Sequence, residues 1–200
     1  MTQASIEIDG HADVKLRVGP RDEGLTIFNA SSRALARASP VFDRMLYGDF
    51  AESKTKATGD PWTVDLPMDS PSSMEIFLNI THANFKLVPN VLSIGELYNL
   101  TVLTDFYDAT PSLAPWVDMW MSTIHELSND ASLAPKLLWV SWQLGREELF
   151  RSISREILME SEGTLSADTS PFSDIRTAPD IVGKQVAGKL GRRESIWGTR

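Results

Sequence analysis

ADVKLRVG (12–19), LTIFNA (25–30) and SSRALARASPVFDRML (31–46) read as one unit. Val14, Leu16 and Val18 alternate with Lys15 and Arg17, the period of two that sends successive side chains to opposite faces of a strand. Gly19, Pro20 and Gly24 bracket a polar loop. Leu25 and Ile27 resume the alternation beyond it, so a hairpin is predicted. Ser39-Pro40 then opens a helix. The serine hydroxyl can accept an orphan N–H, and proline, which has no N–H to lose, suits the first helical position. Val41, Phe42 and Met45 give that helix an apolar stripe.

On the N-terminal side of this unit the chain is short and polar, with only Ile6 and Ile8 alternating. On the C-terminal side, GDFAESKTKATGDP (48–61) has no periodicity and reads as a surface loop. Trp62, Val64 and Leu66 alternate again and predict a third strand. Ser70 and Pro71 stand at the start of a helix whose core face carries Met74, Phe77, Leu78 and Thr81. A polar link through Pro89 leads to Ser93 and Glu96, which have capping-box spacing. Leu97, Tyr98, Leu100, Val102, Leu103 and Phe106 surround the helix that follows, which predicts burial on all sides. Thr110-Pro111 starts the next helix, with Leu113, Trp116, Val117, Trp120, Met121 and Ile124 along one face. Two more helices are predicted. One spans 134–144, with Leu137, Leu138 and Trp142 buried. The other spans 147–160, with Leu149, Phe150, Ile153, Ile157 and Leu158 on one face and Glu147 and Arg151 paired on the other. Residues 163–200 are dominated by Ser, Thr, Asp, Gly and Pro and are predicted to be disordered, since they bury too little apolar area to offset chain entropy.

A formal charge of −8 opposes a nucleic-acid surface, which needs a clustered basic face. With no cysteine, neither a disulfide framework nor a cysteine zinc site can form, and a reducing compartment, cytoplasmic or nuclear, is expected. The opening residues lack the basic start and apolar run of a secretory signal, and no apolar run reaches the roughly 20 residues that cross a bilayer. The sequons at Asn29, Asn79 and Asn99 fall in packed elements and read as chance matches. His11, His82 and His125 are scattered, without metal-ligand spacing; His82 suits a helix C-terminus. Gly183–Leu190 has Walker spacing, but Leu190 replaces the hydroxyl that holds magnesium and no buried strand precedes it. No G-x-S-x-G elbow occurs. The neighbouring acids Asp105 and Asp108, or Glu147 and Glu148, read as helix-end features. No catalytic residue, cofactor, metal or small-molecule substrate is therefore expected.

Asp13 with its strand, Phe28, Ala34-Leu35 and the run Ala38-Ser39-Pro40-Val41-Phe42 together resemble the first half of a BTB/POZ domain. LPMDSPSSMEIFLNITHANF (66–85) and VPNVLSIGELYNLTVLTDFYDATPSLAPWVDMWM (88–121) resemble the second half, as found in BTB-like proteins of filamentous fungi. LLWVSWQLGREELFRSISREIL (137–158) resembles the helical continuation of those proteins. Ser31 stands where many animal members carry His. Ile80-Thr81-His82-Ala83-Asn84 stands where many cullin adaptors have a Tyr-Thr-Gly ending. The 12 residues before Asp13 leave little room for the extra helix and strand of strand-swapped dimers.

The resemblance implies an α+β fold: a small mixed sheet of about three strands, a helical cluster and a two-helix extension. It divides the chain into a BTB/POZ-like domain (10–125), a helical extension (126–162) and a tail (163–200). It further implies a non-catalytic interaction module whose partners are proteins: a second copy, a cullin-type ubiquitin-ligase scaffold, or transcriptional partners. Neither nucleic acid nor membrane is expected as a partner. A rival from another class is a chromatin or transcription cofactor that uses the basic tail. Trp116, Trp120, Trp139 and Trp142, on consecutive helices, are the candidate protein-binding residues, because tryptophan is enriched at binding hot spots.

Overall fold

One sheet carries β1 (Ala4–Glu7), β2 (Val14–Val18), β3 (Thr26–Ala30) and β4 (Thr63–Leu66), in the order β1-β3-β2-β4. The computed structural model describes residues 4–21, 24–53, 62–125 and 131–160. β2 and β3 form the expected antiparallel hairpin, while β4 joins β2 and β1 joins β3, both in parallel. The sheet thus has four strands where about three were predicted. Four residues with a single isoleucine are too short to display alternation; the open edge of β3 makes them a strand.

Register sets which face is wet. Leu16 pairs with both Phe28 and Val64, so these three lie in one row, and all are buried. Phe28 and Ala30 therefore face inward, and Leu25 and Ile27, the residues whose alternation announced the strand, lie on the opposite parity and are only half-buried. A shift of one residue exchanges the two faces, and pairing with β2 decides between them. On the outer face the row reads Ser5, Ile27, Arg17, Asp65.

Among the described residues up to His125 there are five helices: α1 (Ser32–Ala38), α2 (Pro40–Tyr47), α3 (Pro71–Thr81), α4 (Ile94–Phe106) and α5 (Ala114–His125). Asp13, leading into β2, accepts hydrogen bonds from the N–H and the hydroxyl of Ser32 and so fastens α1 to the sheet. Ser39 caps α2 as predicted, accepting from the Phe42 N–H at 3.0 Å. Its hydroxyl also donates to the Tyr107 carbonyl, which joins α2 to the end of α4. Phe42, Tyr107 and Phe77 stack in near-parallel planes, with Phe42 and Tyr107 4.2 Å apart. The Tyr107 hydroxyl donates to Asp69. Burial pushes the Asp69 carboxyl up, against the opposite pull of this bond. Burial, then the charge of Asp69, pushes the Tyr107 phenol up.

Ser93 and Glu96 form the full capping box, and the Ser93 hydroxyl, then its N–H, holds the Glu96 carboxyl below its usual range. Three expectations are corrected. Ser70 occupies the N-cap of α3, but its hydroxyl bonds Ser72 rather than the helix N–H groups. Thr110 opens a 3-10 turn over Thr110–Leu113 rather than α5 itself, and its hydroxyl reaches Thr104. Phe106 on α4 is exposed, so that helix is wet along part of its length, and Thr101 and Thr104 are buried instead.

The chain divides into two compact units, Met1–Leu127 and Ser128–Arg200. In the second, α6 (Ala134–Gln143) and α7 (Glu147–Glu160) pack on each other. Gly145, at φ +67°, ends α6 in the left-handed conformation, and the Arg146 N–H closes back onto the Ser141 carbonyl. Phe150, Ile153 and Ile157 are buried along α7, Leu149 is half-buried, and Arg151 pairs with Glu147. The side chain of Leu158 and the tail from 163 to 200, with its Gly183–Leu190 run, lie outside the described residues.

Candidate protein-binding surface

Three exposed large apolar residues, Phe85, Leu87 and Val91, follow the end of α3; Tyr47, Phe50, Met68 and Phe106 are exposed elsewhere in the first unit. His82 is the C-cap of that helix. Its Nδ1 lies 2.8 Å from the Leu78 carbonyl, and its Nε2 accepts the Ser31 N–H at 2.9 Å. A nitrogen that accepts an amide carries no hydrogen, so the ring hydrogen sits on Nδ1 and donates to the helix carbonyl. His82 thereby ties the end of α3 to the start of α1.

Ala83 then adopts φ +60°, a conformation unfavourable for any residue with a Cβ. It lets the Asn84 N–H return to the Asn79 carbonyl at 2.8 Å. Gly145 performs the same closure at the end of α6, and Asp108, at φ +51°, performs it at the end of α4. The Asn84 amide also donates to the Ile8 carbonyl at 2.9 Å, anchoring the turn just beyond β1. A 3-10 turn over Phe85–Leu87 follows. Val88 and Leu92 are buried, and the Pro89 carbonyl accepts the Trp120 indole N–H at 2.8 Å.

Between these anchors the chain holds Phe85 57%, Leu87 68% and Val91 59% exposed. Phe85 rests on Trp116 of α5 with ring centroids 5.5 Å apart, and Trp116 stacks on Trp120 at 6.2 Å. Met119, one turn along α5 from Trp116, is exposed as well. Phe85 and Trp116 are thus in contact, and Leu87, Val91 and Met119 are exposed on the same connection and helix, with the connecting backbone pinned at His82, Asn84 and Pro89. Apolar side chains held in place lose little entropy when a partner covers them.

The four tryptophans do not act as one group. Trp120 is fully buried and Trp139 nearly so, which makes both interior packing residues rather than surface ones. Trp116 is half-buried and touches Phe85. Trp142, also half-buried, lies 5.5 Å from Phe150 in the second unit. Helical spacing shows that a tryptophan shares a stripe but not how deep it lies. Phe85, Leu87 and Val91 were missed because they fall in what reads as a polar link, where no period can single them out. Four large apolar residues within seven positions of a connection, Phe85, Leu87, Val88 and Val91, are the one signal that could have done so.

Among the described residues no group of three His, Cys, Asp or Glu side chains could hold a metal ion. The backbone N–H of His11 bonds Asp9, and the His125 side chain lies outside the described residues. No helix among the described residues is long and apolar enough to cross a membrane. Comparison with models of protein families finds no match, and comparison with curated proteins finds none either.

Proposed function

We propose that the chain is a non-catalytic protein-interaction module of the BTB/POZ type that engages its partner through the face formed by Phe85, Leu87, Val91, Trp116 and Met119. The observation that carries the reading is large apolar side chains left exposed on an anchored backbone. Phe85 lies on Trp116, and apolar area left exposed on a folded surface marks a contact site when it is contiguous. The BTB/POZ part of the reading is supported by the quoted sequence runs. It is also supported by the order of elements: a hairpin, two short helices, a strand parallel to the first hairpin strand, then three helices.

The test is affinity purification from source cells with the full chain and with a Phe85→Ser, Leu87→Ser double variant, alongside sedimentation of both. A partner or a self-associated species that the variant loses, at unchanged melting temperature, supports the reading. Identical partners and identical sedimentation refute it. A cullin-type scaffold is the second reading; Ile80–Asn84 departs from the Tyr-Thr-Gly ending of many cullin adaptors, and the exposed residues begin just after it, at Phe85. Binding of a purified cullin N-terminal domain that is lost in the same variant distinguishes it from the first.

A further inference from the structure

The outer face of the sheet carries a separate feature. Arg17 on β2 pairs with Asp65 on β4 through two N–H groups, with Nη2 to Oδ2 at 2.6 Å. Arg21, beyond the end of β2, reaches the same Oδ2 at 3.0 Å. One bidentate arginine already satisfies a cross-strand carboxylate. The second adds a cation that Asp65 cannot neutralise, so among the described residues these two positive groups and one negative group leave a net single positive charge; Asp22 and Glu23, next in the chain, lie outside the described residues. Among the described residues, the other N–H groups of both arginines have no protein acceptor. These groups border a pocket of about 150 Å³ completed by Gly19, Leu25 and Pro67.

We propose that this pocket binds a carboxylate on a short aliphatic stem. The donors left on Arg17 and Arg21 would receive the two oxygens, and Leu25 and Pro67 would flank the stem. Gly19, at φ +95°, lines the pocket, and a Cβ there would press on Pro71 and the Gly24 carbonyl. The volume is roughly that of five water molecules, enough for a carboxylate and a few carbons. The single net charge matches a monoanion; a dianionic phosphate would leave the cluster negative beside Asp65. A free small acid, a peptide C-terminus and a glutamate side chain share this chemistry. The site is independent of the apolar face and stands or falls separately from it.

The experiment follows the arginine Nε–Hε resonances of the full chain during titration with sodium butyrate, with acetylated tetra-alanine bearing a free C-terminus, and with acetyl-Ala-Ala-Glu-Ala-amide. Saturable shifts of Arg17 and Arg21 with at least one probe are expected, and the probes that act identify the source of the carboxylate. Arg21→Gln, at an exposed position, should weaken binding about tenfold, the loss of one charge-assisted hydrogen bond, without changing the melting temperature. Asp65→Asn removes the competing carboxylate and should tighten binding. Absence of saturable shifts with all three probes, or undiminished affinity in Arg21→Gln, overturns the proposal.

Discussion

The stacked column of Phe42, Tyr107 and Phe77 and the face of Phe85, Leu87 and Val91 are built from the same kinds of side chain and differ in how they are covered. The column is closed on every side, with each ring no more than 2% exposed. The second group is held by its backbone while its side chains stay in water. Burying a large apolar side chain contributes about 1.5–3 kcal/mol to folding. Leaving three exposed forgoes that contribution unless a partner supplies the cover. The first group accounts for stability, and the second for the proposed function.

The comparison breaks if the two groups respond alike to truncation. Phe42→Ala should cost about 4 kcal/mol, measured by urea unfolding, because it removes a fully buried ring and leaves a cavity beside Tyr107 and Phe77. A loss below about 1 kcal/mol would mean the column is not the core. Tyr107→Phe keeps the stack but strips Asp69 of its donor, at a cost of about 2 kcal/mol. Burial already raises the Asp69 carboxyl, and a raised carboxylate stabilises the fold in its protonated form, an advantage lost as pH rises through its folded value. The deficit of the variant should therefore be smallest in acid and grow towards neutral pH.

Effects on the wet surfaces should be smaller. Asp65→Asn should cost under about 1 kcal/mol at neutral pH, since the pair with Arg17 is more than one-third exposed and screened by solvent. Arg17, through its hydrogen bond, holds Asp65 below the usual carboxylate range, so its contribution is present above the unfolded value of about 3.9. The difference between variant and parent should vanish as pH falls through the lower folded value, which paired urea titrations would reveal. Ala83→Gly should raise stability by about 0.5 kcal/mol, relief of the left-handed strain exceeding the added chain entropy. Phe85→Ser should change stability by no more than about 0.5 kcal/mol while removing the partner. A melting temperature that falls as far as that of Phe42→Ala would place Phe85 in the core and end the contrast.

Much of the fold is legible in local pattern. Val14–Val18, the Ser39-Pro40 helix start, the Ser93 and Glu96 box and the stripe ending at Ile124 each depend on neighbours within a few residues. Ser70 shows the limit of such reading: the right residue at the right position found another hydroxyl instead. The alternation of Leu25 and Ile27 announces β3 but not its inward face, which register with β2 gives to Phe28 and Ala30. Of the candidate site, Trp116 was named in advance. Phe85, Leu87 and Val91 were not, since their prominence depends on anchors at Ile8, Ser31 and Trp120 that are far away in sequence.

The sequence alone determined where the strands β2 and β4 and the helices α2 and α4 begin, because period, capping and turn chemistry act over one or two turns of chain. It also determined that no cysteine chemistry is available. Only the tertiary structure decided that residues 4–7 become a strand, that Trp120 and Trp139 are interior, and that Phe85, Leu87 and Val91 stay in water. Burial is set by what packs across the chain from a residue, and a linear pattern records which side chains share a face but not what, if anything, lies against it.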